Sequence, residues 1–192
     1  MSALQHRPMT LAEFLEWEER QPVKHEFDGF RPVAMTSGTT AHARIQRNLS
    51  TALDRRLAGK AGELLGSDVK LEVAGRIRYP DGFVTCSKLP GDALIHREPV
   101  VIFEILSPST AGTDLFAKNE EYAATPSVMR YVILAQDAMR GTIFERAGDD
   151  WIGHILGANA ILAMPEIGIE VPLAEFYRDV ELPTTDESSV SA

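Results

Sequence analysis

One stretch narrows the fold more than any other: residues 99–106 read PVVIFEIL. A run this densely apolar fits a strand covered on both faces, the kind found at the centre of a sheet. It also holds one acid, Glu104, between Phe103 and Ile105 and with no basic neighbour. A bare carboxylate there is costly, because desolvation disfavours its charged form. Two readings stay open. Either a cation, a hydrogen-bond network or a metal offsets that cost, or Glu104 lies at the strand's end and points to water. Alternation places Glu104 on the face of Ile102 and Leu106, opposite Phe103 and Ile105.

The rest of the chain supplies helices and further strands around this run. Residues 1–8 read as a flexible start. Thr10-Leu11-Ala12-Glu13 matches a capping box, so a helix opens at Thr10 and carries Leu11, Phe14, Leu15 and Trp17 on one face. Gln21-Pro22 stops it. Two short extended runs flank Asp28-Gly29, a strong hairpin signal. From Ala41 to Ala58, Ile45, Leu49, Ala52, Leu53 and Leu57 recur at helical spacing, and Gly59 follows. Residues 63–73 read as one strand and Ile77 to Cys86 as another. The run at 99–106 comes next, then a short helix over 114–124 and a buried strand over Tyr131 to Ala135. Thr142–Arg146 and Trp151–Leu156 form an outer hairpin across Gly148, and Ile167–Val171 reads as a last strand. Residues 181–192 read as a disordered acidic tail. The order predicts one mixed α/β (α+β) domain over residues 9–180, a central sheet flanked by helices with an added C-terminal β hairpin.

Composition sets outer limits. The 192 residues can bury a sizeable core without disulfides or structural metal. The single cysteine, Cys86, excludes an intramolecular disulfide, and its apolar neighbours Phe83 and Val84 predict a buried, inert thiol. The net charge of −9 counts against a general nucleic-acid coat protein, but not against a local cleft made electropositive by bound metal. The aromatic share of 7% offers no obvious base-stacking platform. No stretch approaches the ~18 apolar residues of a membrane span, and no signal peptide is visible. The expected location is cytoplasmic, with no membrane partner.

Two further groups can carry chemistry beside Glu104. Asp81 sits in Tyr79-Pro80-Asp81-Gly82, where Pro80 fixes the backbone before it and Gly82 permits close approach after it. Ordinary turn chemistry explains the same tripeptide. Lys118 lies four residues after Asp114 and shares a helical face with Glu121 and Tyr122; an exposed Asp114–Lys118 pair is its plain explanation. Together, two carboxylates on adjacent strands can grip a hard cation through oxygen. A nearby lysine can orient water or stabilise charge on an attacked phosphate. That set is the minimum for metal-assisted phosphodiester hydrolysis.

HEFDG at 25–29, HARIQRNL at 42–49, YPD at 79–81, FEILSPST at 103–110 and DLFAKNEEY at 114–122 together resemble a bacterial restriction-endonuclease-like family of the PD-(D/E)XK nuclease superfamily. The resemblance covers about residues 9–180, and its most specific piece is EILSPST with the Asp-x-x-x-Lys helix beyond it. It implies a restriction-endonuclease-like core and a Mg²⁺- or Mn²⁺-dependent endonuclease acting on nucleic acid, DNA above all. Asp81 and Glu104 then become the metal-binding acids, with Glu26 completing the metal shell and His42 near the cleft. The usual lysine position, two residues after the second acid, holds Leu106 here; the resembled family carries its lysine on the following helix, which maps to Lys118. Such an enzyme is expected to work as a homodimer, because cutting both strands suits a two-fold axis. The rival expectation is a nuclease-fold module without activity, used for partner binding or regulation.

Overall fold

The computed structural model describes residues 7–88, 90–106 and 113–183, with the backbone alone for 113–115. Its elements run α1 (Leu11–Glu18), β1 (His25–Phe27), β2 (Pro32–Ala34), α2 (Thr40–Leu57), β3 (Glu63–Gly66), β4 (Lys70–Val73), β5 (Arg76–Arg78), β6 (Gly82–Thr85), β7 (Ile95–His96) and β8 (Pro99–Leu106). Then follow α3 (Thr113–Ala123), β9 (Arg130–Ala135), β10 (Gly141–Ala147), β11 (Asp150–Leu156), β12 (Ile161–Met164), β13 (Ile169–Pro172) and α4 (Leu173–Phe176). The mixed α+β architecture expected from the sequence is the one observed.

Six strands form the main sheet, in the order β11-β10-β9-β8-β6-β3. The run PVVIFEIL is β8, deep in that sheet, parallel to β9 and antiparallel to β6. The β8–α3–β9 unit supplies the crossover that a parallel pair requires. Both faces of the sheet are covered. On one, Ile45, Leu49, Leu53 and Leu57 of α2 pack with Val101, Phe103, Ile105, Val132 and Leu134. On the other, Ile102, Tyr131 and Ile133 pack with Tyr122 of α3 and with Leu71 and Val73 of β4. This two-sided cover is why β8 reads as a continuous apolar run rather than an alternating one.

Five short strands form a second sheet, β2-β1-β5-β4-β7, with α1 beside it. The Thr10 capping box forms as expected: Thr10 Oγ1 accepts from the Glu13 amide, and the Glu13 carboxylate accepts from the Thr10 amide at 2.8 Å. The β1–β2 hairpin also forms where Asp28-Gly29 placed it. Asp28 Oδ1 accepts from the amides of Phe30 and Arg31, and Gly29 holds a φ of +97° that a side chain would resist.

Two expected strands turn out to be four. Residues 63–73 break at Gly66-Ser67-Asp68, where the Val69 amide donates to the Gly66 carbonyl, and β3 and β4 join different sheets. Small and turn-forming residues favour that break over continued alternation. Residues 77–86 break at Tyr79-Pro80-Asp81, so β5 belongs to the small sheet and β6 to the large one. Pro80 has no N–H to extend a ladder. The last expected strand starts at Ile169 rather than Ile167, and its partner β12 is an additional strand. Cys86 is exposed, one residue past the end of β6, so the expectation of a buried thiol is wrong. The loop at 107–112, the side chain of Asp114, residues 1–6 of the start and 184–192 of the tail lie outside the described residues.

Candidate functional site

The two sheets meet where the chain crosses between them at Tyr79-Pro80-Asp81, and the candidate residues gather there. The β6–β8 register pairs Gly82 with Phe103, so the next positions along the ladder set Asp81 opposite Glu104. Asp81 is anchored across that pair: its Oδ2 accepts from the Ile105 amide at 2.7 Å. The plain turn reading of Asp81 therefore gives way to a carboxylate fixed against β8. Glu104 does not reach water at a strand end; it is only 6% exposed.

Lys118 bridges the sheets from above. Its ammonium lies 2.9 Å from Glu104 Oε1 and 3.2 Å from Glu26 Oε1. The side chain is 14% exposed, so the reading as a surface pair fails. Glu26 comes from β1, where the β1–β5 register sets it opposite Arg78. Both Glu26 oxygens are taken: Oε1 also accepts from the Tyr79 amide at 3.2 Å, and Oε2 from Arg78 at 3.1 Å. Arg78 in turn makes two parallel bonds to Glu121, at 2.7 and 2.6 Å. Lys118, Glu121 and Tyr122 follow at i, i+3 and i+4, so one face of α3 delivers all three. The Tyr122 hydroxyl donates to Glu104 Oε1 at 3.3 Å.

From the other side, α2 brings His42 and, one turn on, Gln46. His42 Nε2 stands 3.0 Å from Asp81 Oδ1, and Gln46 Nε2 donates to the Asp81 carbonyl at 3.0 Å. All five residues expected from the sequence, Asp81, Glu104, Lys118, Glu26 and His42, thus line one cleft of about 550 Å³. Sequence reasoning did not pick out Gln46, Arg78 or Tyr131. Gln46 carried a readable signal, since it follows His42 at i+4 on the same helix. Arg78 and Tyr131 carried none, because their places depend on how distant strands pair.

The electrostatics follow from three carboxylates facing one ammonium. Burial raises the Glu104 carboxyl to about 7; Lys118 pulls it down, while Asp81 and Glu26 push it further up. Burial likewise works against the charge on Lys118, but Glu104 and Glu26 outweigh it and hold the ammonium charged. Glu26 is pushed up by burial and, on balance, held below its ordinary value by Lys118 and Arg78. The hydrogen bond to Asp81 raises His42 above its ordinary value against the effect of burial. Among the described residues, no three acidic or histidine side chains stand ready-made around a single point as metal ligands. Glu104 gives one oxygen to Lys118 and Tyr122, and Asp81 is held by His42 and the Ile105 amide. The donor chemistry nevertheless suits a hard cation. Asp81 and Glu104 present carboxylate oxygens to one cleft, the ligand type such a cation takes.

The mixed sheet with its β8–α3–β9 crossover is of the restriction-endonuclease-like class, as two comparisons show. A crystal structure titled "a putative nuclease belonging to DUF820 from Anabaena variabilis" superposes with a TM-score of 0.76, covering 89% of this chain and 98% of that one. At 15% identity that likeness establishes the fold. Residues 11–174 match the Uma2 family, described as "Putative restriction endonuclease", and the chain belongs to that family. Two uncharacterized proteins of Synechocystis are similar along most of their length. One, slr1290, is 31% identical over 86% of this chain and 90% of its own. The other, sll1609, is 28% identical over 79% and 90%. Among the described residues, no helix is long and apolar enough to cross a membrane.

Proposed function

We propose that this protein is a Mg²⁺- or Mn²⁺-dependent nuclease that hydrolyses phosphodiester bonds, with DNA as its substrate. The observation that carries this reading is the convergence of three residues in one cleft: Asp81 opposite Glu104 along the sheet, and the Lys118 ammonium 2.9 Å from Glu104. Asp81 and Glu104 would hold the cation, which supplies charge neutralisation at the attacked phosphate and a more acidic bound water. Glu26 is the acid least able to join them, because Lys118, Arg78 and the Tyr79 amide already occupy its oxygens. Its service is to keep Lys118 charged and in place. Lys118, an ammonium at neutral pH, stabilises negative charge on the phosphate rather than accepting a proton. His42, paired to Asp81 and raised, is placed to contact a phosphate oxygen from the α2 side.

A second reading has one observation in its favour. The carboxylates are satisfied within a closed network of ion pairs, as in a nuclease fold retained for binding or regulation. Plasmid nicking separates the two. Wild type should nick supercoiled DNA with Mn²⁺ or Mg²⁺, and Lys118→Ala should lose that activity. Equal inactivity of both proteins across metals and salt concentrations supports the second reading. Action on both strands fits a homodimer, and β11, the outermost strand of the main sheet among the described residues, would supply an edge for it. Light scattering after size exclusion measures that assembly directly.

A further inference from the structure

Tyr131 is fully buried, it borders the acidic cleft, and among the described residues its hydroxyl has no hydrogen-bond partner. Orphaned buried hydroxyls are rare enough to require a reason. The ring cannot swing away to find one. It meets Tyr122 edge-on at 4.7 Å between centroids, and stacks on Phe144 at 6.3 Å. The β8–β9 register pairs Ile102 with Tyr131 and Glu104 with Ile133, so Tyr131 and Glu104 are diagonal neighbours on one face of the sheet. That diagonal is within reach of an aromatic and a long side chain. Glu104, however, is drawn to Lys118 and Tyr122.

We propose that Tyr131 is a positioning residue, whose hydroxyl is the donor reserved for the Glu104 carboxylate when that carboxylate binds a divalent cation. This rests on the metal-dependent reading above. Lys118 and Tyr122 share Glu104 Oε1, so among the described residues Oε2 is the oxygen left to serve a cation beside Asp81. A donor aimed at Oε2 would fix that oxygen against the cation while Lys118 and Tyr122 keep Oε1, and the Tyr131 hydroxyl is the unused one at hand. Outer hydrogen bonds of this kind orient metal ligands, and their loss typically weakens metal affinity 10–100-fold.

The test is Mn²⁺ titration calorimetry, together with melting temperatures in chelator, on full-length wild type, Tyr131→Phe and Tyr122→Phe. Tyr131→Phe should bind Mn²⁺ about 10-fold more weakly or worse, yet melt at the wild-type temperature or above, since it removes only an unpartnered hydroxyl. Tyr122→Phe should melt lower in chelator, because its hydroxyl already serves Glu104. Equal Mn²⁺ affinity in Tyr131→Phe and wild type overturns the proposal and leaves the metal site standing. So does a fall in the chelator melting temperature of Tyr131→Phe matching that of Tyr122→Phe. Absence of Mn²⁺ binding in wild type overturns the metal reading itself and this proposal with it.

Discussion

Replacing Glu104 with Gln should stabilise this protein, and increasingly so as pH rises. The folded Glu104 carboxyl is raised to about 7 from an ordinary 4.5, chiefly by burial. An acid raised in this way binds its proton more tightly in the folded state than in the unfolded one, so stability falls as pH climbs from 4.5 to 7. At one pKa unit per 1.36 kcal/mol, the gap between Glu104→Gln and wild type is ~1 kcal/mol at pH 5.5 and grows to ~3 kcal/mol at pH 8. Above the folded value it levels off. Glutamine keeps the shape, and its carbonyl still accepts from Lys118 and Tyr122, so the substitution isolates the charge. His42 also titrates in this range; Glu104 is the last-named of the groups that raise it, so losing that charge in Glu104→Gln narrows the gap only slightly. Urea unfolding of both at pH 5.5 and pH 8 measures the gap. A Glu104→Gln protein less stable than wild type at both values would refute the reasoning, because the Lys118 ion pair would then outweigh the desolvation of Glu104.

Other perturbations test the same network from different sides. Lys118→Met leaves Glu104 and Glu26 buried without their shared cation and should cost about 3–5 kcal/mol, read by chemical denaturation in chelator. His42 is raised by Asp81, so its contribution to stability is complete below its ordinary value of 6.5 and is lost as pH rises through the folded value. NMR titration of the imidazole should show that elevation in wild type and its disappearance in Asp81→Asn. Thr10→Ala removes one side of the α1 capping box and should cost about 1 kcal/mol in urea unfolding, without affecting metal binding.

Much of the fold was legible because it is written in local signals. The Thr10 box, the Asp28-Gly29 turn, the Ile45–Leu57 stripe and the apolar β8 run each name their own structure. The breaks at Gly66-Ser67-Asp68 and Tyr79-Pro80-Asp81 were harder. Leu65, Val69, Leu71 and Val73 alternate acceptably through the first break, and alternation does not say which sheet a strand joins. Both crossings matter for the site, since the second one delivers Asp81. Glu104 was legible as an anomaly, a carboxylate where burial forbids a bare one; Asp81 and Lys118 stood out beside it from their local sequence, and the family resemblance supplied Glu26 and His42. Arg78, which holds Glu26, was invisible, and Glu121 was legible only as a neighbour of Lys118 on one helical face. Their pairing joins β5 to α3 across 43 residues of sequence. Burial of Cys86 was misjudged for a related reason: the apolar run around it ends with β6, and the residue beyond turns outward.

The most direct test of the central claim is calorimetric titration of Mn²⁺ into wild type and into Asp81→Ala/Glu104→Ala, because it requires no assumption about the substrate. The account predicts binding in wild type that disappears in the double variant, with both proteins folded by circular dichroism. Binding that persists in the double variant, or none in wild type, would contradict it.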